Sequence, residues 1–158
     1  CALPISVSIY AKRELLRRYW PPVLVGCLTG VAVSLGSILA MCRLFGLDAA
    51  MTASLLPKSV TTPIATAVSE AHGGITAITV VAVMCSGILG NLTAPLMAKI
   101  FRVRDPLAEG LGIGACSHAM GTAKAMELGE TQGAMSGLAI GICGIFTALA
   151  ALFFDALL

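Results

Sequence analysis

Three stretches of the chain carry no Asp, Glu, Lys, Arg or His: residues 21–42, 75–98 and 133–154. At about 1.5 Å of rise per helical residue, each is long enough to cross a hydrocarbon core of about 30 Å. Two segments of a different character lie between them. Residues 47–72 are moderately apolar but interrupted by Pro57, Lys58 and Pro63. Residues 105–130 are interrupted by Gly110, Gly112, Gly114 and Gly121, and they carry His118 and Lys124. Each is long enough for one broken crossing or for a hairpin of two half-helices.

Charge placement chooses between these. Lys12, Arg13, Arg17 and Arg18 precede the first span, and Lys99, Arg102 and Arg104 follow the second. The positive-inside tendency places both clusters on the cytoplasmic side. That requires an even number of crossings between them, so residues 47–72 read as a re-entrant hairpin. The pattern becomes hairpin then span, twice, in opposite orientations. Paired interrupted segments of this kind point to the midplane site of a secondary transporter. The expected fold is an all-α polytopic membrane protein with three spanning helices, two interrupted helices or re-entrant hairpins, and an inverted repeat. Its halves fall at about 47–98 and 105–154 within a single membrane domain over 1–158. An offset of 58 residues superposes Ser59 on Ser117, Ala65 on Ala123 and Ala67 on Ala125.

Composition agrees. Hydrophobic residues make up 58% of the chain and charged residues only 11%, against roughly 25% charged in soluble domains. Ala and Gly fill 42 of the 158 positions, too many small residues for a bulky aqueous core. A water-soluble globule, a disordered chain and a nucleic-acid binder are excluded. Small-residue ladders at Gly26 and Gly30, and at Gly133, Gly137 and Gly141, suit close helix packing in lipid. None of the six cysteines forms a C-x-x-C pair, so they read as apolar packing residues, not disulfides or metal ligands. The chain begins at Cys1, in mid-pattern, which predicts a further N-terminal portion.

The chemistry concentrates at the two interruptions. In the first, Thr62 before Pro63 reads as a helix N-cap followed by proline at the first helical position. Free N–H groups there favour an anion, and Lys58 adds a positive charge beside Ser59 and Thr61. The plainer reading is that the hydroxyls satisfy freed backbone groups while Lys58 snorkels to an interface. In the second, Thr122 reads as the cap of another half-helix. His118 is an expensive ionisable group at membrane depth, fit to hold a carboxylate or relay a proton. His72, beside Gly73 and Gly74, reads as a loop residue. The expected substrate-binding set is Lys58, Ser59, Thr61, Thr62, Ser117, His118, Gly121, Thr122 and Lys124, with no catalytic, metal or cofactor site. Ser117 and His118 are chain neighbours and diverge, so they make no nucleophile–base pair. No H-E-x-x-H, G-x-S-x-G or P-loop pattern is present.

The stretches LLPKSVTTPIA with the following GGI, and GLGIGACSHAMGTAKAMELGETQGAMSGLA, resemble the signature segments of the LrgB/CidB family of membrane proteins. The resemblance extends over nearly the whole chain, including YWPPVLVG at the start of the first span. It implies a holin/antiholin-like modulator of murein hydrolase activity and autolysis. It also implies a link to pyruvate uptake, or to glycolate and glycerate movement as in a related plastid protein. No catalytic residue carries over.

Two functions are therefore expected to compete. One is a secondary transporter of small monocarboxylates, with Lys58, Lys124 and His118 around the two half-helix N-termini. The other is an antiholin-like assembly without a substrate site. Expected partners are a small carboxylate, the lipid bilayer, further copies of the chain and a small partner membrane protein. The expected location is a bacterial inner membrane, or a plastid envelope for a plant source.

Overall fold

A computed structural model describes residues 13–156; Cys1 and Lys12 lie outside that range. The chain forms α1 (Arg13–Leu44), α2 (Ala49–Leu55), a 3-10 turn (Leu56–Ser59), α3 (Thr62–Ala71), α4 (Thr76–Ile100), α5 (Pro106–Leu128) and α6 (Glu130–Ala151). A last 3-10 turn covers Phe154–Ala156, and the described residues include no strand. Three helices are long and apolar enough to span a bilayer: Arg17–Leu44, Thr76–Ile100 and Glu130–Ala151.

Local chemistry explains the boundaries. Asp48 accepts the Met51 N–H at 2.7 Å and starts α2. Asp105 accepts the Leu107 N–H at 2.9 Å and starts α5, with Pro106 in the first turn. The first helix begins before its charge-free run and is kinked at Tyr19 (φ −110°, ψ 16°), just ahead of Pro21 and Pro22. His72 closes α3 and is no loose loop residue. Its Nδ1–H donates to the Val68 carbonyl at 2.8 Å, and its ring packs against the fully buried Phe154, 5.5 Å between centroids.

Side-chain contacts fix the direction of each helix. Gly26 faces Leu111 and Gly30 faces Ala115, so α1 runs parallel to the first part of α5. Gly110 and Gly114 abut Gln132 and Ser136, so that part of α5 also runs parallel to α6. The rest of α5 meets α6 in the opposite sense: Thr122 contacts Ser136 and Met126 contacts Gly133. The chain therefore reverses inside α5. The reversal falls at His118, whose φ of 40° and ψ of −139° leave the helical region. On the far side, Gly90 faces Ser117, and Phe101 and Ala108 line the same cleft, so α4 runs antiparallel to α6. The first core joins Val23, Cys27 and Val31 to Met135, Ala139 and Cys143. A second joins Ile38 and Cys42 to Leu56, Ala151 and Phe154.

These directions put the start of α1 and the end of α4 at one end of the bundle. Arg17 and Arg18 thus share an end with Lys99, Arg102 and Arg104. Large side chains such as Val33, Leu92 and Leu152 project outward, as helices facing lipid require. Single cysteines placed at Arg17 and at Arg102 in a Cys-free background should therefore respond alike to an impermeant thiol reagent. Labelling of one and not the other from the outside would break this arrangement.

Candidate functional site

Each segment between the spans leaves helical geometry once, and the two departures meet inside the bundle. In the first, α2 tightens into the 3-10 turn, and Val60 and Thr61 run extended before α3 begins. Thr61 holds the N-cap position, makes no side-chain capping bond, and is followed by Thr62 and Pro63 at the first two helical positions. The cap expected at Thr62 is thus displaced by one residue, because Pro63 suits the second position as well as the first. Ser59 hydrogen-bonds Ser34 of α1, Oγ to Oγ 2.6 Å. The 3-10 turn packs against α5, and its Ser59 lines a small cavity together with Ala115.

The second departure centres on His118, which is 3% exposed. A positive φ in a residue with a Cβ is strained by about 1–3 kcal/mol, so its surroundings must hold it. They do so from both sides. His118 Nε2–H donates to the Val83 carbonyl of α4 at 3.0 Å. Asn91 of α4 donates from Nδ2 to the Met120 carbonyl at 2.8 Å. Thr122 donates from Oγ1 to the His118 carbonyl at 3.0 Å and shares a 2.7 Å hydrogen bond with Ser136 of α6. Thr122 is therefore a bracing residue one turn beyond the reversal, not the cap of a half-helix.

Two glycines of α4 make the notch that receives this turn. A Cβ at Gly87 would stand 2.6 Å from His118 Cε1, and one at Gly90 would collide with the Ser117 side chain. Gly121 leaves equivalent room for Ser117 and Ile113. Gly110 and Gly114 prove to be packing residues. Their Cβ atoms would lie 2.7 Å from the Cα atoms of Gln132 and Ser136, so glycine is what brings α5 against the α6 backbone. Gly141, expected in the same α6 stripe, faces open space.

Of the nine expected binding residues, eight gather around these two turns. Lys124 does not; it is partly exposed and pairs with Glu127 at 2.7 Å. His118 likewise aims its ring at the Val83 carbonyl and not into a chamber. Between the turns, Ser34, Ser59, Ala115 and Thr147 line a cavity of about 10 Å³, about the space of one water. Among the described residues this space is smaller than a carboxylate requires. The larger space lies beside the turns, a cleft of about 420 Å³ between α4 and α5. Thr93, Phe101 and Glu109 line it, with Cys116 and Ser117 at its inner end. Cys116 is exposed, unlike the buried packing cysteines Cys27, Cys42 and Cys143. Of these added residues only Asn91 carried a sequence signal, as the chain's single asparagine inside an uncharged span. The described residues hold no His, Cys, Asp and Glu group able to bind a metal.

The profile of the LrgB-like family matches residues 2–156 of the chain, and therefore both turns. The chain belongs to the LrgB-like family. It is 36% identical over 141 residues to the uncharacterized protein YxaC of Bacillus subtilis (strain 168), covering 89% of this chain and 61% of that protein. It is 34% identical over 145 residues to the antiholin-like protein LrgB of Bacillus mycoides (strain KBAB4), covering 92% and 63%. The figures for the antiholin-like protein LrgB of Bacillus cereus (strain B4264) are the same. The chain thus spans somewhat under two thirds of the length of these relatives. No solved structure matches it. With three apolar spans and this family membership, this LrgB-family chain is an integral membrane protein.

The glycine contacts yield a paired prediction. Gly114→Ala should destabilise the protein by about 1–3 kcal/mol through overpacking on Ser136, whereas Gly141→Ala should be neutral. Reversible unfolding in micelles measures both, and equal effects would mean that α5 does not abut α6 at Gly114.

Proposed function

We propose that the chain is the membrane core of an antiholin-like protein of a bacterial inner membrane, one that modulates murein hydrolase activity and autolysis. The observation that carries this reading is the 34% identity to proteins named antiholin-like across 92% of the chain. The chain covers 63% of such a relative, so the activity of the whole protein belongs to this proposal. The outward apolar faces and the open surface at Gly36 and Gly141 suit assembly with further copies or with a small partner membrane protein. In cells deleted for the protein, the rate of detergent-induced lysis should return to the parental value when the gene is restored. An unchanged rate in the deletion strain would contradict this reading.

A second reading, passage of a small monocarboxylate such as pyruvate, glycolate or glycerate, is favoured by one specific feature. The second turn presents Ser117, with Cys116 beside it, at the inner end of the α4–α5 cleft. On this reading the segments from Leu47 and from Asp105 are re-entrant hairpins from opposite faces, halves of an inverted repeat. Ser59 and Ser117 would occupy equivalent places before the two turns. Lys58 draws the anion inward, Ser59 and Ser117 offer hydroxyl donors, and the uncapped N–H groups at Thr61 and Thr62 favour its charge. Glu109 opposes it at the outer end, where Lys99, Arg102 and Arg104 outnumber that carboxylate.

Cys116 is the probe for this second reading. With Cys116 as the sole cysteine, an anionic methanethiosulfonate should react several-fold faster than a cationic one. Lys58→Met should level the two rates, and saturating pyruvate or glycolate should slow the anionic reagent. Equal rates in the parent protein, or no protection by any of these acids, would remove carboxylate passage from the account.

A further inference from the structure

A groove on the outer surface lies apart from both turns. It lies between the start of α1 and the middle of α6 and has a volume of about 470 Å³, within the range of about 300–1,000 Å³ typical of small-molecule pockets. Arg17 and Trp20 stand at its outer end, and Val23, Leu24, Leu138 and Ile142 form the rest. The groove thus grades from a cation through an indole to a wholly aliphatic wall. That order matches a phospholipid lying along the protein, headgroup outward.

The two neighbouring arginines divide their work. Arg18 places its guanidinium over the Tyr19 ring, 5.8 Å from the centroid. Arg17 makes no ion pair among the described residues and lines the groove. A guanidinium offers a planar pair of N–H donors to phosphate oxygens. Trp20 is 59% exposed, as suits an indole at the headgroup level. Glu14 is the only carboxylate on α1, where Arg17 and Arg18 outnumber it. The local field therefore favours a net negative headgroup over a zwitterionic one. Basic pockets between spanning helices on the cytoplasmic side are suited to such lipids.

We propose that this groove binds one anionic phospholipid, with its phosphate on Arg17 and one acyl chain along Val23, Leu24, Leu138 and Ile142. Contact with both α1 and α6 makes the lipid a clamp between the first span and the last. It also separates this site from ordinary boundary lipid, which touches one helix face and exchanges freely.

The test is native mass spectrometry of the full protein, delipidated in detergent and titrated with phosphatidylglycerol or phosphatidylcholine of matched chains. The expected result is one retained phosphatidylglycerol per chain, preferred about fivefold, as a single arginine contact provides. Arg17→Gln should level the two lipids, and Arg17→Lys should keep a partial preference. Leu138→Trp, which fills the aliphatic part, should reduce retention of both. Unfolding curves of each variant confirm that the folded protein is compared. Equal retention of the two lipids, or an undiminished preference in Arg17→Gln, would overturn the proposal. So would a lipid-independent disulfide between chains at Leu138→Cys, because a second copy would then fill the groove.

Discussion

The fold depends on one constraint: backbone that leaves helical geometry inside an apolar bundle must find its hydrogen bonds within the protein. The reversal at His118 meets it with side chains from two neighbours. Asn91 and the Val83 carbonyl act from α4, and Thr122, braced by Ser136 of α6, acts from within the turn. The same arrangement offsets the strain of a positive φ at a residue carrying a Cβ. Remove the close approach of α4 and α6, and nothing would hold His118 in that conformation.

Close approach is itself a matter of residue size. In lipid, helices gain little from burying apolar surface against one another, so backbone proximity and interhelical hydrogen bonds carry association. Gly110 and Gly114 let α5 lie on α6, and Gly87 and Gly90 let the turn enter α4. The first departure from helix is simpler, since Pro57 and Pro63 terminate and restart it locally, and Ser34 ties its tip to α1. One turn is thus encoded by its own residues and the other by its neighbours.

That difference explains what the sequence revealed. The three spans were legible because an uncharged run of bilayer length is a property of the run alone, and their ends shifted by only a few residues. In residues 47–72 proline acts where it stands, with Pro57 in the 3-10 turn and Pro63 in the first turn of α3. In residues 105–130 the glycines drew attention as breaks, yet Gly110 and Gly114 serve packing. The reversal falls at His118, which has neither glycine nor proline beside it. Its position depends on a notch 30 residues earlier in sequence, which no local pattern announces. The size of the space between the turns, about one water, depends on every wall at once and had no sequence signature.

The central structural claim, that the chain reverses at His118, is tested most directly by disulfide trapping in native membranes. The Oγ atoms of Thr122 and Ser136 lie 2.7 Å apart, so a Thr122→Cys, Ser136→Cys pair in an otherwise Cys-free protein should cross-link rapidly under mild oxidation. An unreversed α5 would continue the register in which Gly110 meets Gln132 and Gly114 meets Ser136, and would carry residue 122 to the level of Gly144. Efficient trapping of Thr122→Cys with Gly144→Cys, and none with Ser136→Cys, would contradict the account.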